Sequence, residues 1–180
     1  MSCIRFAIAT TLVSGIVLTS SAFAQHPDAH SAQAKPSATS ANFDHEYVDM
    51  MIPHHQQAIA MSEKAVQKAQ SAGVKSLASR IIADQKKDLA ELDRLKGAAK
   101  ADKPGAPHRM TPMDMSHLDT ASGPAFDTMF LKMMSEHHQK ALDMSNEELK
   151  RGRQASVKAF ARNTIKKQRA EIAEMKRRQP

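Results

Sequence analysis

The string Met-Met-Ile-Pro-His-His-Gln at residues 50–56 sets two thioethers one helical turn ahead of two imidazoles. A second string, Met-Met-Ser-Glu-His-His-Gln, occupies residues 133–139. Residues four apart on a helix lie side by side. Met50 then neighbours His54 and Met51 neighbours His55, and Met133 and Met134 stand in the same relation to His137 and His138. Sulfur and imidazole nitrogen presented together are metal donors. Thioether sulfur is soft and selects Cu(I), whereas imidazole accepts both Cu(I) and Cu(II). Zinc draws on thiolate, imidazole and carboxylate and has little use for methionine. The face therefore points to copper. A lone Met at helical spacing is ordinarily core filler, and a lone buried His is ordinarily a hydrogen-bonded core residue. Paired histidines beside paired methionines, present twice, argue for ligation.

The two strings belong to a longer repeat. At a shift of 83 residues, Phe43, Asp44, Met50, Met51, His54, His55, Gln56, Ala58, Met61 and Ser62 recur as Phe126, Asp127, Met133, Met134, His137, His138, Gln139, Ala141, Met144 and Ser145. Phe43, Met50, His54 and Met61 fall within about 40° on a helical wheel, and Asp44, Met51, His55 and Ser62 form a second stripe about 100° away. Met61 and Met144 join the candidate ligands. Asp44 and Asp127 are the repeated carboxylates on this face, expected to orient the ligands. The shift also aligns Gln85 with Gln168, each amid an apolar helix face. A buried amide needs partners. It serves either as a polar core contact or as a group that orients a histidine.

Between the repeats, the stretch His-Arg-Met-Thr-Pro-Met-Asp-Met-Ser-His holds His108, Met110, Met113, Met115 and His117. Pro, Asp and Ser break any packed element there, so the segment is expected to be a soft-metal tether outside the core.

The elements that must position these groups are helices. Residues 43–98 and 124–180 are rich in helix formers and show no strand alternation. Breaks near Gly73 and around Gly152 divide each into two, with helices expected over 43–71, 74–97, 124–151 and 155–178. Two such hairpins predict an all-α, four-helix bundle with internal pseudo-twofold symmetry. Pro53 removes one hydrogen bond from the first helix, and Ser135 stands at the matching position of the second.

Residues 1–24 carry Arg5, an apolar run and the small-x-small ending Ala22-Phe23-Ala24. That is the pattern of a secretory signal cleaved after Ala24, which predicts export to the periplasm and no stable membrane anchor. Residues 25–42 read as a polar leader and 99–123 as a linker. The one cysteine, Cys3, lies in the signal, so no disulfide framework is available. Loss of the signal lowers the formal charge from +7 to +6. The excess is a solvated helix face near the C-terminus. Export and the scarcity of aromatics argue against nucleic acid.

"FDHEYVDMMIPHHQQAIAMS" and "FDTMFLKMMSEHHQKALDMS" resemble the signature of the domain-of-unknown-function 305 family, over roughly residues 43–179. The resemblance implies a ferritin-like helical bundle, export and, for some members, copper binding and resistance. It points to Met50, Met51, His54, His55 and Met61, and to Met133, Met134, His137, His138 and Met144. Gln57 and Lys140 depart from the glycine that often follows the motif glutamine. The expected function is a periplasmic copper-binding protein that sequesters copper, as Cu(I) or Cu(II), or exchanges it with a donor or acceptor protein. One alternative is a ferritin-like metal oxidase, which needs inward carboxylates in Glu-x-x-His pairs, and no Glu-x-x-His occurs in the chain. Another is a helical periplasmic stress chaperone with a metal response.

Overall fold

The computed structural model describes residues 40–98 and 113–179, with side chains from residue 43 onward. The expected signal and most of the expected leader lie outside the described residues, as do His108 and Met110. Helix α1 spans Ser40–Lys68, α2 Ala72–Ala98, α3 Ser116–Thr120, α4 Gly123–Arg151 and α5 Ala155–Arg178. No strand occurs among the described residues. Four long helices match the expected bundle. Helix α1 starts at Ser40 rather than 43, because no proline or glycine stands between Pro36 and Phe43 to stop it. It passes through Pro53 without ending.

Helix α1 pairs with α2 and α4 with α5, and α1 and α4 form the central contact. The central pair runs antiparallel. Tyr47 Oη and Ser145 Oγ are 2.8 Å apart near one end. The Lys68 Nζ stands 5.3 Å over the Phe126 ring near the other.

The apolar side chains form two clusters. One gathers Ala58, Met61, Val74, Leu77, Ala78, Phe126, Phe130, Leu131 and Met134. The other gathers Tyr47, Val48, Met51, Ala141, Val157, Phe160 and Ala161. A shift of 83 residues interconverts them: Phe130 with Tyr47, Leu131 with Val48, Met134 with Met51, Leu77 with Phe160. Each cluster draws on the first helix of both hairpins, so burying it fastens the hairpins together. Tyr47 and Phe130 break the match by one atom. The Tyr47 hydroxyl reaches Ser145, whereas the equivalent Ser62 hydroxyl is buried without a partner because Phe130 has none to offer.

Two aspartates brace the hairpins crosswise. The Asp44 carboxylate accepts the backbone N–H groups of Arg153 and Gln154, at 3.0–3.1 Å, just ahead of α5. Asp127 accepts those of Gln70 and Ser71, at 2.9 and 2.8 Å, just ahead of α2. A carboxylate there satisfies orphan donors and complements the positive end of the helix. Asp44 is wholly buried and also faces Glu148. Burial first, and Asp44 second, push the Glu148 carboxyl up to about 8. Gly123 opens α4 in the left-handed region at φ 57°, where its missing Cβ removes the usual cost.

The segment before α4 is not a free tether. Leu118 is wholly buried, and Met113 and Met115 pack against the first cluster. Lys68 Nζ donates to the carbonyls of Leu118 and Asp119 at 2.8 and 2.7 Å, Lys64 pairs with Asp119, and Gln57 Nε2 donates to the Met113 carbonyl at 3.2 Å. One buried leucine with flanking thioethers suffices to dock the segment, which corrects the expectation that its polar residues hold it off the core.

Two stability measurements check this account. Asp44→Ala should cost about 1–2 kcal/mol in urea unfolding, the usual range for a lost helix cap, and more than Asp127→Ala, whose bonds are solvent-exposed. Leu118→Ala should cost about 2–5 kcal/mol, as for a buried leucine. No loss there would mean that the segment is undocked in solution.

Candidate metal centre

Between the two apolar clusters lies a polar layer. His54, His55, His137 and His138 are all buried, at 0–1% exposure. The His54 and His137 rings stack with centroids 3.6 Å apart and planes inclined by 31°. His137 is the residue 83 positions beyond His54. Because the equivalent helices α1 and α4 run antiparallel, contact between a residue and its own equivalent marks the pseudo-twofold axis of the bundle. Helix α1 presents His54 there because its positions 51, 54, 58 and 61 share one face, and α4 presents His137 by the same spacing.

Most of the layer's nitrogens have no partner. Both nitrogens of His54 and of His137 are buried without a hydrogen bond, as are His55 Nε2 and His138 Nδ1. Nearly all buried polar atoms in folded proteins are satisfied, and each exception calls for a reason. Burial first, then the neighbouring His55, lowers the His54 pKa to about 3. Burial first, and the stacked His54 second, also pull His137 far below the ordinary range. Both rings are therefore neutral near pH 7, with lone pairs available to a metal.

The outer histidines are oriented from both sides. His55 Nδ1 lies 2.8 Å from the Met51 carbonyl oxygen, which can only accept, so Nδ1 carries the proton. His55 Nε2 faces Asp88 Oδ2 at 3.8 Å. Burial acts to raise the Asp88 carboxyl, but contacts with His55 and Lys167 outweigh it and hold it below the usual carboxylate range. In the other half His138 Nε2 lies 2.6 Å from Glu171 Oε2 and donates to it, which leaves Nδ1 bare in the neutral ring. Of the two, His138 with Glu171 is the carboxylate-oriented pair found around many metal sites, whereas His55 is oriented by a backbone carbonyl.

Asp88 and Glu171 were missed by the sequence reading. Both are acidic at the shift of 83, and each follows a repeated glutamine by three residues on the same helix face. That signal was present but is one of charge, not identity. The glutamines themselves are buried, yet the Gln85 carbonyl and both polar atoms of Gln168 lack partners. Asp44 and Asp127, expected beside the ligands, are engaged at the helix starts described above.

Among the methionines, Met51 and Met134 are wholly buried and Met133 is 8% exposed, while Met50 is half-buried. Met61 is wholly buried in the first cluster, and Met144 packs on the second. Met51 and Met134 stand on opposite sides of the histidine layer, one in each cluster. Among the described residues no group of three or more His, Cys, Asp or Glu is placed to hold a metal ion. Met113, Met115 and His117 lie apart from the layer, beside α4.

The profile of the family described as Domain of unknown function (DUF305) matches residues 23–96 and again 44–178. The chain belongs to the DUF305 family. Its fold is similar to that of CopM in the Cu(II)-bound form, with 32% identity and a TM-score of 0.65, over 74% of this chain and 93% of that one. CopM in an Ag-bound form is similar at 34% identity and a TM-score of 0.64, with the same coverage. A DUF305 fragment from Deinococcus radiodurans matches at 26% identity and a TM-score of 0.65, again over 74% of this chain and 93% of the fragment. No match to a curated protein is found at a significant level. Among the described residues of this DUF305 protein, no helix is long and apolar enough to cross a membrane.

The orphaned imidazoles carry a pH signature. Unfolded His protonates near pH 6.5, but folded His54 resists protonation down to about 3. Between those values the unfolded state binds more protons, so acidification destabilises the metal-free fold by about 1.4 kcal/mol per pH unit for each such ring. His54→Leu combined with His137→Leu should flatten that slope in urea titrations between pH 6 and about 4. It should also stabilise the metal-free fold at pH 7, by removing unsatisfied buried groups. A double variant less stable than the parent would show that the rings are satisfied in solution.

Proposed function

We propose that this protein is an exported copper-binding protein that sequesters copper or hands it on through the Met and His donors of α1 and α4. The observation that carries the reading is the set of buried, unpartnered imidazole nitrogens on the pseudo-twofold axis. A fold built only for stability would fill that layer with apolar side chains or satisfied amides. The flanking thioethers suit Cu(I), and the imidazoles suit either oxidation state. Similarity to CopM, whose structures include Cu(I)-, Cu(II)- and Ag-bound forms, supports copper as the cargo. Export follows from the signal pattern of residues 1–24. Outside the cytoplasm a thioether site also avoids the disulfide chemistry that thiols meet there.

On this reading the residues divide the work. His54 and His137 offer lone pairs at the axis. His55 and His138 offer theirs from rings set by the Met51 carbonyl and Glu171. Met50, Met51, Met133 and Met134 supply sulfur, with Met61 and Met144 one or two turns further along. We read the role as binding and exchange with a donor or acceptor protein, not turnover.

Substituting Met50, Met51, Met133 and Met134 with Leu keeps volume and helix propensity nearly constant. The variant should lose Cu(I) affinity strongly and Cu(II) affinity weakly, in competition titrations with a chromophoric chelator. Replacing the four layer histidines should remove Cu(II) binding while far-UV circular dichroism stays helical. Undiminished Cu(I) affinity in the Leu variant would reduce the methionines to packing.

A further inference from the structure

A second donor set lies outside the histidine layer. An open pocket of about 410 Å³ is lined by Met113 and His117 from the segment around α3, and by Met129 and Met133 from α4. Its charged rim is balanced: Lys132 and Lys140 against Asp114 and Glu136. We propose that this pocket docks a soft monovalent metal ion, Cu(I) or its analogue Ag(I), on the Met113, Met129 and Met133 thioethers and the His117 imidazole. The proposal rests on the copper reading above and adds a site, with Met129 as a further ligand.

Three observations carry it. The first is donor type. Three thioethers and one imidazole converge on one concavity, the set that selects a soft ion over zinc or magnesium. The rim adds no net charge to repel a cation. The second is rigidity. Gln57 and Lys68 on α1 hold the backbone carbonyls of Met113, Leu118 and Asp119, and Lys64 pairs with the Asp119 carboxylate, so Met113 and His117 sit on a docked wall rather than a swinging tether.

The third is asymmetry. At the shift of 83 residues Met133 matches Met50, but Met129 matches Glu46 and Lys132 matches Asp49. Asp49 is bound to Lys96 at 2.9 Å and to His45 at 3.1 Å. Met129 therefore has no donor counterpart in the first half and is not a by-product of the repeat. Packing alone does not explain the pocket's donors. Met115 packs on the same cluster without lining the pocket, whereas Met113 and Met129 do both.

Position gives the pocket a use. The layer's imidazoles are at most 1% exposed and cannot meet an incoming copper donor directly. Met133 lines the pocket and sits one helical turn before His137, on the same face of α4. An ion held in the pocket is one ligand exchange away from the layer, and an open pocket leaves room for a donor's ligand during that exchange.

The test uses Ag(I), which is redox-inert, on the purified chain with 13C-labelled methionine methyls. The Met113, Met129 and Met133 methyl resonances should shift on addition of Ag(I), and Met115 should not. Met113→Leu with Met129→Leu should lose one equivalent of Ag(I) by calorimetry and keep its Cu(II) binding, whereas Met115→Leu should keep both. Unmoved Met113 and Met129 methyls in the unsubstituted chain would overturn the proposal, whatever the folding of the variants. So would full Ag(I) capacity in a folded double variant. If Cu(II) still binds in either case, the copper reading stands and only the pocket falls. A parent chain that takes up neither ion overturns both.

Discussion

The stack of His54 on His137 is the constraint around which this bundle is arranged. Between antiparallel equivalent helices such a contact lies on the twofold axis, so the 3.6 Å stack marks where the hairpins meet. It also splits the core. The apolar side chains gather into two image-related clusters with the imidazole layer between them. Each cluster is small, and each is completed by side chains from both hairpins, so neither hairpin buries its apolar face alone. The cross-braces from Asp44 and Asp127 tie the same two hairpins at their ends.

That arrangement works against stability at its centre. Buried imidazole nitrogens without partners lose their hydration and gain nothing in return. A metal ion that bound them would recover the loss, and binding would then stabilise the fold by mass action. The metal-free and loaded states differ at the layer while the helices and end braces are common to both. On the proposed copper reading, stability and metal binding are set against each other in one set of residues.

The two halves differ in the partners they give equivalent residues. Tyr47 satisfies Ser145, but Phe130 leaves Ser62 alone. His138 meets a glutamate at 2.6 Å, whereas His55 faces an aspartate at 3.8 Å that is shared with Lys167. On α1 Glu46 stands where the pocket has Met129, while Met50 matches Met133. An ion at the layer would therefore meet an unequal pair of half-sites: the His138 ring hydrogen-bonded, the His55 ring facing a shared carboxylate.

Much of the fold was legible in the sequence, because helix formation and the 83-residue repeat are both local or pairwise properties of the chain. The wheel placed Met50, Met51, His54 and His55 on one face, and the repeat required a second such face. That the two faces meet, and meet at His54 and His137, depended on how α1 and α4 cross, which no single segment encodes. The same holds for Asp44 and Asp127. Their repetition on the Met/His face was visible, but their partners are backbone groups of the other hairpin, so their place at the helix starts emerged only on assembly. Asp88 and Glu171 repeat in charge but not in identity, and their role appeared once α2 and α5 had packed behind the histidines. The segment around Leu118 misled because its composition is polar. Leu118 and the flanking Met113 and Met115 docked it together with Lys68 of α1, which holds the Leu118 and Asp119 carbonyls. The residue types and their spacing determined which chemistry the chain can offer. Which of those groups share a layer, and which are left without partners inside it, was decided by packing across the twofold axis.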